Sequence, residues 1–289
     1  MRIGLVGMGR MGGGIRTRLE RAGHTVVADD LDATRSDVAA LAELVEVLAP
    51  PRVVWLMLPA GEATAQAVEV LSALLAPGDT LVDGANGHYR AAQARAAALA
   101  ERGIAFVDAG VSGGVWGVEG GYCVMAGGAE AAVAALGPLW AALAEPAGFA
   151  HVGPAGAGHY VKMVHNAIEY GLMEAYAEGF ALLRAFDAPI DLGGVAALWG
   201  QSSVVRSWLL ELVGRALAAD PELRGLRGAV ADSGEGRWAV QEAVERGVPA
   251  PAISAALYAR FASRDADAFA LRLLAALRRE FGGHAVEPA

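Results

Sequence analysis

The sequence predicts an α/β chain in two parts: an N-terminal doubly wound parallel sheet over residues 1–156, then an all-helical domain over residues 157–289. Three observations carry this. Through the first half, short apolar runs alternate with Ala-rich helical stretches, the order that strand–helix–strand units with right-handed crossovers produce. The runs are apolar on both faces, as in strands covered by helices on either side. Beyond about Pro154 no strand-like run follows, and the pattern stays helical, punctuated by Gly and Pro, as far as Phe281.

The elements follow in order. "RIGLVGMG" is a buried strand entering a glycine turn, "HTVVADD" a second strand, "RVVWLML" a third, "TLVDGAN" a fourth, "AFVDAGV" a fifth and "YCVMAGG" a sixth. Helical stretches such as Ala91 to Arg102 lie between them. "PAGAGHY" supplies a loop and the start of the first helix of the second domain. There is no internal repeat and no linker of disordered composition.

Composition excludes several classes. With 289 residues, 55% hydrophobic and 19% charged, the chain can bury a substantial core. A net charge of −9 argues against nucleic acid or an anionic membrane surface as the main partner. It leaves room for an anionic small molecule, which needs only a local cluster of cations. No long uninterrupted apolar window suggests a membrane span, and "MRIGLVGMG" reads as strand and turn rather than a signal peptide. The single cysteine, Cys123, precludes an internal disulfide framework and fits a reducing cytoplasm. No Cys/His spacing suggests a metal site, and none is expected. His24, His88 and His151 stand without chemical company and read as surface or structural residues.

Gly7-Met8-Gly9-Arg10-Met11-Gly12 is G-x-G-x-x-G, directly after a strand and before a helical run. Alone the motif is weak. In this context its glycines permit a tight turn, close approach of a pyrophosphate and close helix packing, and the helix N-terminus offers free N–H groups to phosphate. The second strand ends at Asp29-Asp30, where a ribose-binding acid is expected. The domain therefore reads as a Rossmann-type dinucleotide-binding sheet. No Arg or Lys follows Asp30 until Arg35, so a 2′-phosphate would meet carboxylates with no immediate cation, which favours NAD over NADP.

The most informative stretch is "KMVHNAIEYG". On a helix, Lys162, His165, Asn166, Glu169 and Tyr170 fall on one face, while Met163, Val164, Ala167, Ile168 and Leu172 form an apolar side able to pack. A face with one amine, one imidazole, one amide, one carboxylate and one phenol suits proton handling better than solvation. Lys162 is the chain's only lysine among 23 basic residues. Arginine cannot be deprotonated in a protein, whereas a desolvated lysine can be tuned toward neutral pH. A lysine surviving where arginine is otherwise used marks a site that needs more than charge.

"VSGG" (Val111 to Gly114) follows the fifth strand and offers a hydroxyl and open backbone N–H groups, suited to a carboxylate; read alone it is an ordinary glycine turn. Asn86 in "DGANGHY" follows another strand end, where α/β sheets place ligands. Near the C-terminus, "YAR" and "RREFGGH" bring cations together.

Taken together, these residues resemble the 6-phosphogluconate dehydrogenase family, in its shorter, often NAD-linked form within the 3-hydroxyacid dehydrogenase superfamily. The match spans nearly the whole chain, and "HVGPAGAGHYVKMVHNAIEYG" and "GEGRWAVQEAVERGVPAP" are its most specific parts. The resemblance implies oxidative decarboxylation of 6-phosphogluconate to ribulose 5-phosphate, with Lys162 as acid/base catalyst and Glu169 as a second acid. His165 and Asn166 would position the substrate together with Asn86, Ser112, Gly113 and Gly114. Tyr170 and Arg260 would hold the 6-phosphate, and Arg278 and His284 would reach across from a partner subunit, so a homodimer or higher oligomer is implied. Candidate cofactor-binding residues are Gly7, Met8, Gly9, Arg10, Met11, Gly12, Asp30, Leu58, Pro59 and Asn86. The chain departs from the family pattern at Gly87, where serine is usual, at Ala167, where glycine is common, and at Ser233, where longer members carry a phosphate-binding lysine. Competing readings are a hydroxyisobutyrate or tartronate-semialdehyde type dehydrogenase, which generally lacks the His-Asn-x-x-Glu-Tyr continuation, and a catalytically silent NAD-binding protein, which would need no lysine–glutamate pair.

Overall fold

The structure, a computed structural model, describes residues 1–265 and 268–282, without the side chains of Arg278 and Phe281. Strands β1 (Arg2–Val6), β2 (Thr25–Asp29), β3 (Val53–Leu56), β4 (Thr80–Asp83), β5 (Ala105–Ser112), β6 (Tyr122–Gly128) and β7 (Ala144–Gly153) form one sheet in the order β2-β1-β3-β4-β5-β6-β7. Helices α1 (Arg10–Arg21), α2 (Leu41–Glu46), α3 (Glu62–Leu74) and α4 (Tyr89–Ala100) make the crossovers between the first five strands. The short α5 (Gly117–Gly120), α6 (Glu130–Ala135) and α7 (Gly137–Leu143) link the last three.

The six apolar runs identified in the sequence are all strands, but the sheet differs from the expected one in two ways. β6 runs antiparallel to β5, with Ser112 opposite Cys123. The reason lies in the connection: Gly113 to Gly121 holds only a 3₁₀ turn and a single helical turn, too little for a parallel crossover. β7 is a seventh strand with no strong sequence signal. It contains Pro146 and a left-handed Ala147 (φ +67°), and its pairing with β6 slips register, as an edge strand tolerates.

Alternation along the strands explains the two cores. In β1, Ile3 and Leu5 face one layer and Val6 the other; in β3, Val53 and Trp55 face the first while Val54 and Leu56 face the second. Because side chains alternate across a strand, a run apolar at every position is buried on both faces.

After β7 the chain is helical: α8 (Ala157–Arg184), α9 (Leu192–Trp199), α10 (Trp208–Ala219), α11 (Glu235–Arg246), α12 (Pro251–Ala262) and α13 (Phe269–Gly282). Local chemistry sets their limits. Asp191 and Ser207 cap α9 and α10 by accepting from Gly194 N–H and Leu210 N–H, Pro251 opens α12, and Gly247 closes α11 in the left-handed region. Phe180, Leu210 and Leu217 form one helical core and Tyr170, Ala256 and Leu257 another. The chain divides into two compact units within α8, Met1–His165 and a second beginning at Asn166, whereas the sequence places the boundary at the helix start. No helix among the described residues is long and apolar enough to cross a membrane.

One expectation for α8 is corrected. Met163 and Ala167 are buried as an apolar face should be, but Ile168 is 51% and Leu172 46% exposed. Among the described residues no element covers these two side chains.

Candidate active site

The glycine turn after β1 has the geometry a dinucleotide needs. Gly7 sits at φ +94°, and a β-carbon there would lie 2.6 Å from the Met57 carbonyl oxygen. At Gly12 a β-carbon would fall 1.9 Å from the Gly7 carbonyl oxygen, so α1 can pack this close to the turn only without one. At Gly9 nothing lies within 4 Å: the backbone is open to an approaching group. Gly9 leads α1 with no side-chain cap and no acid follows in the first turn, leaving the helix N–H groups to an anion. Three glycines thus do three different things, and together they fit a pyrophosphate. Arg10 heads the helix exposed, Met11 packs on the core, and after β3 Leu58 lies against the Gly7 turn while the Pro59 carbonyl accepts from Thr64 Oγ1 at 2.8 Å.

At the end of β2, Asp30 accepts from Met8 N–H (2.5 Å) and from Asp32 N–H (2.8 Å). The acid is therefore fixed against the glycine turn. Burial, and then the charge of Asp30, push the Asp29 carboxyl up. The Thr34 hydroxyl first, then the Thr34 main-chain N–H and the charge of Arg35, hold the Asp32 carboxyl low. The reading that no cation stands nearby is corrected by the fold. The turn after Asp32 brings Arg35 Nη1 to 3.5 Å from the Met8 carbonyl oxygen, with its Nε 3.1 Å from Asp32. Arg35 is distant from the turn in sequence, adjacent in space, and paired.

The second group of residues gathers where β4, β5 and the start of α8 meet. Lys162 is 7% exposed and lies over Gly110 of β5. One turn further, His165 Nε2 is 3.3 Å from Ser112 Oγ. Gly113 and Gly114, at φ +122° and +54°, carry the chain away from Ser112 through conformations that favour glycine. Asn86, just beyond β4, holds a left-handed φ of +55°, an uncommon state that asparagine tolerates better than most residues. The structure thus brings Lys162, His165 and Ser112 together on one edge of the sheet, at the carboxyl ends of its parallel strands.

Two acids that sequence reasoning passed over hold this edge in place. Asp108, fully buried on β5, accepts from Gly156 N–H (2.6 Å) and His159 N–H (2.8 Å), capping the helix that carries Lys162. Asp83, fully buried on β4, accepts from Arg95 Nη1 (2.6 Å) and Ala85 N–H (3.0 Å). A signal existed: each is a lone acid inside an apolar strand run, and a buried charge must be paired.

In the second unit, α8 presents Asn166, Glu169 and Tyr170. The Arg260 guanidinium lies 3.7 Å from the Tyr170 ring centroid and donates to the Ala231 carbonyl at 2.9 Å. Ser233 N–H donates to the Tyr170 hydroxyl at 3.1 Å, and Ser233 Oγ donates to Glu235. Next to it Asp232 pairs with Arg237 (2.7 Å) and Arg264 (3.0 Å), and the hydrogen bond from Arg237 above all draws its carboxyl down to about 2. Tyr170 and Arg260 are therefore neighbours, and Asp232, next to Ser233 in the chain, gathers Arg237 of α11 and Arg264 from just after α12. The Arg278 side chain and all of His284 lie outside the described residues. His24, His88 and His151 have structural partners: the N-terminal amine, the Arg90 N–H and the carbonyls of Gly128 and Gly153.

Comparison with known proteins places both parts of the chain in one family. Residues 2–153 match the NAD binding domain of 6-phosphogluconate dehydrogenase, and residues 158–285 match the 6-phosphogluconate dehydrogenase C-terminal domain. A Haloferax volcanii protein named 6-phosphogluconate dehydrogenase, NAD(+)-dependent, decarboxylating, is 42% identical over 297 residues, covering 99% of this chain and 98% of its own. The solved Plasmodium falciparum 6-phosphogluconate dehydrogenase, described with its cofactor NADP+ and its substrate 6-phosphogluconate, superposes with a TM-score of 0.83 at 26% identity, over 100% of this chain and 67% of that one. A Mycobacterium tuberculosis 3-hydroxyisobutyrate dehydrogenase shares the fold, with a TM-score of 0.74 at 24% identity over 96% of this chain and 99% of that one. With both domain models matched in order along the chain, and a full-length relative at this identity, the chain belongs to the 6-phosphogluconate dehydrogenase family.

Proposed function

We propose that the chain oxidises 6-phospho-D-gluconate with NAD, releasing CO2 and D-ribulose 5-phosphate. The observation that carries the reading is the placement of the sole lysine: it is buried beside the carboxyl ends of the strands, next to a His165–Ser112 pair. NAD, for which the Gly7–Gly12 turn and Asp30 provide a fitting cradle, supplies the hydride acceptor. Lys162 in its neutral form takes the proton of the C3 hydroxyl as the hydride leaves C3. The resulting β-keto acid loses its carboxyl group as CO2, and Glu169 gives a proton to what becomes C1 of the product. Ser112, Gly113 and Gly114 hold the carboxylate with His165 and Asn166, and Tyr170 and Arg260 take the phosphate. Two proton transfers at two carbons need two titratable groups, and α8 carries both Lys162 and Glu169.

NAD is the preferred cofactor because three acids, Asp29, Asp30 and Asp32, crowd the end of β2 while Arg35 is already paired with one of them. We also propose a homodimer. The exposed Ile168, Leu172, Leu182 and Phe186 along and just after α8, with Leu271, Leu274 and Leu277 on α13, give apolar faces that a second copy would cover. Purified protein assayed with 6-phosphogluconate, hydroxyisobutyrate and glycerate (the reduced partner of tartronate semialdehyde), each with NAD and NADP, tests the reading. CO2 and ribulose 5-phosphate should appear with 6-phosphogluconate, and kcat/KM should be higher with NAD. Turnover only of a C3 or C4 hydroxy acid, or none at all, would sink it.

A further inference from the structure

His159 stands in the first turn of α8 and is 1% exposed. Its Nε2 lies 3.0 Å from the main-chain carbonyl oxygen of Asp83. A carbonyl oxygen only accepts, so Nε2 carries the proton, and Nδ1 of the neutral ring is then an acceptor. Among the described residues no group donates to Nδ1. Arg95 Nη1 and Ala85 N–H donate to the Asp83 carboxylate rather than to this nitrogen. A buried acceptor without a donor is costly, and in native proteins such atoms almost always find a partner, often an ordered water.

The chain leaves space for that partner at Gly87. A β-carbon built there would lie 3.7 Å from His159 Cε1, 3.8 Å from His159 Nδ1 and 3.9 Å from Arg95 Nη1. These are ordinary van der Waals separations, with no backbone in the way. One oxygen placed a bond length beyond that carbon reaches hydrogen-bond distance of Nδ1.

We propose that the notch over Gly87 is a binding site for a single hydroxyl group, which donates its proton to His159 Nδ1. Two sources share this chemistry: a water molecule, and a hydroxyl of the bound sugar acid. The second rests on the proposed function; the first does not. The notch is lined by Gly87, His159 and Arg95, and it lies next to Asn86 at the end of β4.

Gly87→Ser and Gly87→Ala test the site together. Both fill the space, but only serine brings a donor. The serine variant should melt about 2–4 °C above the alanine variant, and the ¹⁵N resonance of His159 Nδ1 should move to the hydrogen-bonded position in the serine variant alone. Equal melting temperatures together with equal Nδ1 resonances would overturn the proposal. Neither measurement involves turnover, so this failure is distinct from failure of the catalytic reading. A KM for 6-phosphogluconate within about twofold of wild type in the serine variant identifies the occupant as water, and a rise of about tenfold or more, the scale of one lost hydrogen bond, identifies it as a sugar hydroxyl. A crystal structure of the unaltered protein, free and with 6-phosphogluconate, covers the case in which a variant does not fold. An oxygen within about 3 Å of Nδ1 in either crystal is the expected result, and its absence from both refutes the site.

Discussion

The α-carbon of Gly110 lies directly beneath the stem of Lys162: a β-carbon there would come 2.5 Å from Lys162 Cβ and 2.9 Å from the Gly158 carbonyl oxygen. Neither contact can yield cheaply, since one belongs to the root of the side chain and the other to the helix backbone. Gly110→Ala should therefore displace α8 and the amine it carries. Misplacing a reacting group by about an ångström costs on the order of 10²-fold in rate. We expect kcat to fall on that scale while NADH affinity, read by fluorescence titration, stays close to wild type. Wild-type kcat in this variant would separate the lysine from the chemistry.

Lys162→Arg keeps the charge and approximate length but cannot provide a neutral base. General-base help amounts to roughly 10²–10⁴-fold, and kcat at saturating substrate should drop by that factor with folding preserved. Retention of more than about a tenth of wild-type kcat would make Lys162 a positioning cation and direct attention to His165.

Gly9 and Gly12 should behave oppositely although both belong to one motif. A methyl at Gly12 meets the Gly7 carbonyl at 1.9 Å, so Gly12→Ala should lose several degrees of melting temperature or not fold. A methyl at Gly9 meets nothing within 4 Å, so Gly9→Ala should melt as wild type does and yet bind NADH about tenfold or more weakly, because the methyl occupies the path of the pyrophosphate. Unchanged NADH affinity in Gly9→Ala would move the cofactor elsewhere.

Asp232 provides a pH test. Its carboxyl is drawn from the usual carboxylate range to about 2, chiefly by the Arg237 hydrogen bond. A carboxyl whose pKa is lower folded than unfolded contributes stability above the unfolded value and loses it as pH falls through the folded one. The melting temperature of Asp232→Asn should accordingly lie below wild type at pH 7, with the gap narrowing between pH 4 and about 2. A gap that stays constant across this range would mean that the arginine pairs do not stabilise the fold through charge.

How much of this was legible in the sequence depended on whether the signal was local. The glycine turn, the six strand runs and the helical second half are each written in neighbouring residues, through alternation, punctuation and a motif. β7 was not legible because it is an edge strand, where Pro146 and an irregular Ala147 are tolerated and no apolar run is required. The reversal of β6 depended on counting what the Gly113–Gly121 connection could hold. In the candidate site, Lys162 stands out in the sequence as the sole lysine, but the residues that hold its helix, Asp108 and Asp83, act through main-chain N–H groups and an arginine brought together by folding. The Arg35–Asp32 pair was hidden for the same reason: only the turn that follows β2 brings that guanidinium to Met8.

The burial of the sole lysine has a practical consequence for chemical probing. The chain carries two primary amines, the exposed one at Met1, hydrogen-bonded to His24 at 3.0 Å, and Nζ of Lys162, on a residue 7% exposed. An amine-directed reagent should label the terminus quickly and the lysine only as fast as the site admits it. Isotope-enriched methylation would give two resonances, of which one reports the proton on Nζ of Lys162 and its access to solvent, in a protein whose other basic side chains are invisible to the reagent.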